Sequence, residues 1–82
     1  RAMHRNVAGV VAEGPHLYSF EGQWQPHGEH AVWVATVRDE TGKAIAHPSG
    51  EANLKTIGLS PAQCVRSQVE IAILRLRRAR SS

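Results

Sequence analysis

The chain has little cysteine and few aromatic residues: one cysteine, Cys64, and four aromatic side chains among 82 residues. A single thiol cannot form a disulfide within the chain, which favours a reducing compartment, and we predict a cytoplasmic protein. The sequence also lacks any run of about 20 apolar residues, the length that a membrane-spanning helix needs. We therefore expect neither a disulfide-stabilised fold nor a membrane partner.

The sequence also lacks the patterns that commonly signal catalysis or cofactor binding. It has no GxSxG, P-loop or GxGxxG motif and no pair of carboxylates with catalytic spacing. Zinc sites usually combine two close pairs of ligands, whereas this chain has one His-x-x-His pair, His27 and His30, and no CxxC. Cys64 has no base partner that the sequence predicts. We predict that the protein is not an enzyme and has no cofactor, no metal site and no small-molecule substrate.

Charge is scarce in most of the chain and concentrated at its end. The hydrophobic fraction is 41% and the charged fraction 21%, which favours one folded domain with a modest core. The net charge is +3, yet residues 1–60 are close to neutral. From Pro61 onward, five arginines accompany a single acid, Glu70. Such asymmetry suggests an anionic partner, although a solvated helix end has the same pattern.

Three segments in the middle of the chain have the patterns of strands. Apolar and polar residues alternate from His16 to Gln25 and from His30 to Asp39, which is typical of half-buried strands. The turn at Asp39–Gly42 leads into a short return strand, Lys43–His47, which ends at Pro48. We expect Phe20 and Trp33 to enter the core and Trp24, near a strand end, to be partly exposed.

Two other segments are harder to interpret. Residues 1–15 form either an extra strand, centred on Val7–Ala12, or a disordered segment. Gly14 and Pro15 end the apolar run. Residues 48–59 are rich in glycine, serine and asparagine and are predicted to be a connection, with Leu54 and Ile57 entering the core. The single α+β domain is expected to span residues 16–82.

The last third of the chain predicts a helix. Ser60 is a suitable N-cap, Pro61 suits the first helical position and Gln63 completes a capping box. One arc of the helical wheel is apolar and is expected to pack on the sheet: Ala62, Val65, Val69, Ala72, Ile73, Leu76 and Ala79. The predicted fold is a three-stranded antiparallel β-meander packed against one amphipathic C-terminal helix.

The leading functional hypothesis is weak electrostatic binding of nucleic acid by this non-catalytic module. Phosphate contacts are assigned to the arginines near the helix end, Arg75, Arg77, Arg78 and Arg80, with Arg38 and Lys43 assisting from the hairpin. A structural reading accounts for the arginines equally simply, because cations near a helix C-terminus complement the helix dipole.

The alternative hypothesis is a protein-interaction or homodimerisation module. Leu74 lies opposite the apolar arc on the helical wheel, and Ile71 lies beside Leu74. Two large aliphatic side chains in these positions are either covered by the Val7–Ala12 segment or available to a protein partner or a second copy.

Overall fold

In the computed structural model, the backbone is described for residues 4–81 and the side chains for residues 4–76. All strand pairs in the sheet are antiparallel, and the helix packs across one face. The predicted α+β class, a meander with one C-terminal helix, is confirmed. The elements follow in the order β1 (Arg5–Glu13), β2 (His16–His27), β3 (His30–Arg38), β4 (Ala44–Ala46), β5 (Ser49–Asn53) and α1 (Pro61–Ser81).

The two central strands have the faces that their alternation predicts. Tyr18, Phe20 and Trp24 of β2 are buried against the helix, together with alternate residues of β3. We call this side of the sheet the helix face and the other side the open face. Trp24 and Trp33 lie directly opposite each other across β2 and β3, and their indole nitrogens have no hydrogen-bond partner among the described residues.

The N-terminal segment forms an ordered strand, which was one of the two interpretations left open by the sequence. β1 pairs with β2 along its whole length, from Arg5 opposite Trp24 to Glu13 opposite His16, without a register shift. Val7 and Val11 are buried on the helix face, which explains why this segment joins the sheet.

The return strand continues past Pro48, contrary to the prediction that it ends there. β4 and β5 both pair with β3, and the Ala35 amide donates a hydrogen bond to the Pro48 carbonyl between them. The sequence of β5 hides a strand because only Ala52 is apolar. Gly50 lies opposite Trp33, and a Cβ at Gly50 would be 3.1 Å from the indole ring, so the glycine leaves room for this large side chain.

The helix begins with the predicted capping box. The backbone amide of Gln63 donates a hydrogen bond to Ser60 Oγ at 3.2 Å, and the backbone amide of Ser60 donates one to the side-chain oxygen Gln63 Oε1 at 2.8 Å. Val65, Val69 and Ile73 are fully covered by the sheet, whereas Ala62 and Leu76, which were expected on the same arc, are exposed. Within residues 4–81, no helix has both the length and the apolar character needed to cross a membrane.

Two further predictions about individual side chains were wrong. Trp24 is only 3% exposed, because β2 continues to His27 and places the indole well inside the strand. Ile57 is 97% exposed, because the segment between β5 and the helix carries it away from the sheet. Leu54, in contrast, packs against the core as expected.

Candidate interaction surface

The open face of the sheet carries the large exposed aliphatic residues of the strands. Helix α1 covers only the helix face, so the alternate side chains of every strand remain in water on the other side. All four phenylalanine, tyrosine and tryptophan side chains are buried on the helix face, so none of these rings can stack on a nucleic-acid base from the open face, where the exposed rings are imidazoles such as those of His27 and His30. The exposed aliphatic side chains of the open face are Val10, Leu17, Val32 and Val34.

The open face carries little uncompensated charge. Arg38 Nε lies 3.5 Å from Glu21 Oε1 across the β2–β3 pair, and the Arg38 guanidinium also donates to the Gly42 carbonyl at 3.1 Å. Glu51, on β5, is a further acid on this face. A surface of this kind does not attract a polyanion.

The outer edge of β1 is the longest uncovered edge of the sheet. β1 is the first strand of the sheet order, and within residues 4–81 no other strand pairs with its outer side. Along nine residues it therefore presents alternate backbone N–H and C=O groups that β2 does not use. The strand contains no proline, no lysine and no bulge, the features that commonly protect a sheet edge from pairing with another chain.

Opposite charges lie at the two ends of this edge. Arg5, the first residue of β1, is exposed, and its guanidinium carbon lies 5.4 Å from the centre of the Trp24 ring, within the range of a cation–π contact. Glu13, the last residue of β1, is half-buried at the hairpin turn. Neither side chain forms an ion pair with another residue among the side chains that the structure describes.

The residues predicted to bind nucleic acid do not form one surface where the structure describes them. Arg75 is exposed on the helix, on the helix face of the sheet. Arg38 is on the open face and is engaged with Glu21, and Lys43 lies in the β3–β4 hairpin, close in sequence to Asp39 and Glu40. The remaining members of the predicted set have side chains outside the described residues: Arg77, Arg78 and Arg80.

The two aliphatic residues predicted for an interaction are placed differently. Ile71 is exposed, as an interaction residue must be, whereas Leu74 is half-buried and packs against the core cluster. Arg66 approaches Gly9, so the side of the helix that carries Arg66 lies above β1.

A cleft opens where the second half of the helix meets the β3–β4 hairpin. Its floor is apolar, with Ile45 and Ile73, and its rim carries His16, Asp39 and Glu40. His16 Nδ1 lies 3.4 Å from Glu40 Oε2. The Asp39 carboxylate accepts hydrogen bonds from Thr41 Oγ1 at 2.6 Å and from the backbone amides of Thr41 and Lys43. The bond from the Thr41 hydroxyl is the main reason that the pKa of Asp39 is lowered. These bonds shape the hairpin turn, so the acid serves the fold.

The described residues contain no convergence of groups that would hold a metal ion. No cluster of three or more histidine, cysteine, aspartate or glutamate side chains occurs within them. Cys64 is buried near the start of the helix, which keeps its thiol from solvent.

Sequence reasoning missed the edge of β1 as a candidate surface. The signal was present, because Arg5–Glu13 contains three valines and two alanines and is bounded by opposite charges. The position of this strand at the edge depends on the return of β4 and β5 to the far side of β3, which no local pattern reveals. The chain matches no protein-family model, no curated protein and no solved structure.

Proposed function

We propose that the protein is a non-catalytic interaction module that self-associates through the outer edge of β1. The observation that carries this proposal is the uncovered, unbulged nine-residue edge. An exposed edge of this length is a template for a further strand, because pairing satisfies a row of backbone hydrogen-bonding groups at once. A second copy of the chain brings a matching edge with the same spacing.

The side chains beside the edge favour a protein partner over a nucleic acid. Ala8, Val10 and Ala12 of β1 and Leu17 of β2 lie together on the open face. Joining two edges removes part of this apolar surface from water, at about 25 cal/mol for each Å² buried. The seam is only about 30 Å long for nine residues, so the interface is small and the dimer is expected to be weak and reversible.

A matched pair of substitutions tests this proposal. Val10 on the edge strand is 53% exposed and Val34 on β3 is 56% exposed, both on the open face. We expect the wild type to dimerise in sedimentation velocity experiments at protein concentrations up to about 1 mM, the range suited to small interfaces. Val10→Lys should weaken the dimer at least about tenfold, because it places two like charges beside the seam. Val34→Lys should leave it unchanged.

Thermal unfolding of both variants is measured first. Both should keep the wild-type unfolding midpoint, because each lysine lies on a solvated face. A wild type that sediments as a monomer throughout this range contradicts the proposal. A dimer that is weakened by Val34→Lys and not by Val10→Lys places self-association on the open face and also contradicts it.

Nucleic-acid binding through the helix is a second candidate, supported by the exposed Arg75 and by the excess of arginine over acid from Pro61 onward. This candidate predicts an affinity for a short DNA duplex that falls steeply between about 50 and 300 mM salt, because bound arginines release counterions. Fluorescence anisotropy with a labelled duplex measures it. Arg75→Gln should reduce the binding and its salt dependence, whereas Arg5→Gln, beside Trp24 on β1, should not.

A further inference from the structure

We infer that two copies pair antiparallel along β1 about a two-fold axis at Gly9, so that Arg5 of each copy faces Glu13 of its partner. This inference rests on the proposed self-association and specifies its register. The two sheets then form one continuous sheet, with both helices on the same side.

Symmetry restricts the possible registers. Antiparallel pairing of one edge with its own copy requires a two-fold axis perpendicular to the sheet, which keeps the helix faces of the two copies on one side. Each residue then opposes a residue of the same face, because side chains alternate along a strand. The axis must therefore pass midway between the two copies of one residue of β1, and each choice of that residue defines one register.

The register centred on Gly9 is the one that uses the whole strand, since Gly9 is the middle of Arg5–Glu13. It places Val7 opposite Val11 on the helix face and Ala8 opposite Val10 on the open face, so valine and alanine side chains meet across the seam. Cross-strand pairs of this kind are the unit of sheet stabilisation.

Charge complementarity selects the same register. With the axis at Gly9, Arg5 and Glu13 face each other at both ends of the seam, and neither has another ionic partner among the described side chains. Moving the axis to Ala8 places Arg5 opposite Val11 and leaves Glu13 beyond the paired segment. Moving it to Val10 places Glu13 opposite Val7. Both shifted registers shorten the seam and lose the two ion pairs.

The helix does not introduce an unbalanced charge at the axis. A Cβ on Gly9 would lie 3.0 Å from Arg66 Nε, so the two copies of Arg66 are the charged groups nearest the axis. Each Arg66 Nε lies 3.5 Å from its own Glu70 Oε2, four residues along the helix. The paired charges reduce repulsion between the two helices across the seam.

Charge exchange tests the register. Arg5→Glu alone and Glu13→Arg alone each place like charges opposite one another at both ends of the seam, and we expect each to weaken the dimer about tenfold. The double variant Arg5→Glu/Glu13→Arg restores opposite charges and should return the dissociation constant to within about threefold of the wild type. Lys43→Glu, which changes the net charge as much as Arg5→Glu but lies in the β3–β4 hairpin, is the control and should have little effect.

The outcomes separate this inference from the proposed function. A wild-type monomer overturns both. A wild-type dimer that is unaffected by the single exchanges, or that is weakened further by the double variant, overturns the register and leaves self-association in place. Since Arg5→Glu also removes the contact with Trp24, the thermal unfolding of each variant is measured alongside.

Discussion

Gly22 lies in the middle of β2, directly opposite Ala35 of β3, and the backbone of β3 approaches it closely. A Cβ at this position would lie 2.0 Å from the Val34 carbonyl oxygen and 2.7 Å from the Ala35 Cα. Both are backbone atoms, which cannot rotate away as the end of a flexible side chain can. Glycine at this residue thus permits the β2–β3 pairing on which the whole sheet depends.

We predict that Gly22→Ala lowers the free energy of unfolding by about 3 kcal/mol, because the added methyl forces the two strands apart. Gly28→Ala is the control: Gly28 has φ 64° and open space around its Cα, so alanine there meets only backbone strain of about 1–2 kcal/mol. Urea denaturation measures both values. Equal losses in the two variants would show that the close approach at Gly22 is not significant.

Asp39 gives a prediction about pH. Hydrogen bonds from Thr41 and Lys43 lower its pKa, so the carboxylate stabilises the folded state above its ordinary pKa of 3.8, and this contribution is lost as the pH falls through the folded-state value. The wild type should therefore be more stable than Asp39→Asn at about pH 6, and the difference should shrink towards about pH 2. Unfolding curves across this range measure it, and a difference that grows towards low pH contradicts the account.

At the scale of elements, helix α1 is the part that the sequence predicted best. Its start depends on local chemistry, a serine followed three residues later by glutamine, and both reciprocal hydrogen bonds are present. Strand β5 was not predicted because its pairing depends on a distant partner, Trp33 of β3, and on the small side chain of Gly50. Local patterns identify elements whose stabilising contacts are near in sequence, and miss those held by tertiary pairing.

The capping box gives the prediction at this scale. Ser60→Ala should destabilise the protein by about 1 kcal/mol, because the Gln63 amide loses its acceptor. Ser67→Ala changes the same residue type within the same helix, where alanine has the higher helix propensity, and should cost nothing or stabilise slightly. Thermal denaturation compares the two, and a larger loss at Ser67 would show that the cap contributes little.

At the scale of the whole molecule, the single helix leaves two parts of the sheet uncovered, the open face and the outer edge of β1. The alternation in β2 and β3 correctly predicted which face of each strand is buried, including Phe20 and Trp33, whereas the expected exposure of Trp24 was wrong. Alternation within a strand does not reveal its neighbours, and the edge position of β1 follows only from the complete strand order. The fold class could therefore be predicted from the sequence, whereas the candidate surface could be identified only from the complete strand order.

Isotope-filtered NMR on an equal mixture of ¹³C-labelled and unlabelled protein detects pairing of two copies along β1 about Gly9 without any substitution. We expect intermolecular contacts between the methyl groups of Val7 in one copy and Val11 in the other, at the concentrations where sedimentation shows the dimer. Intermolecular contacts confined to Val32 and Val34, or none at all at about 1 mM protein, would contradict it.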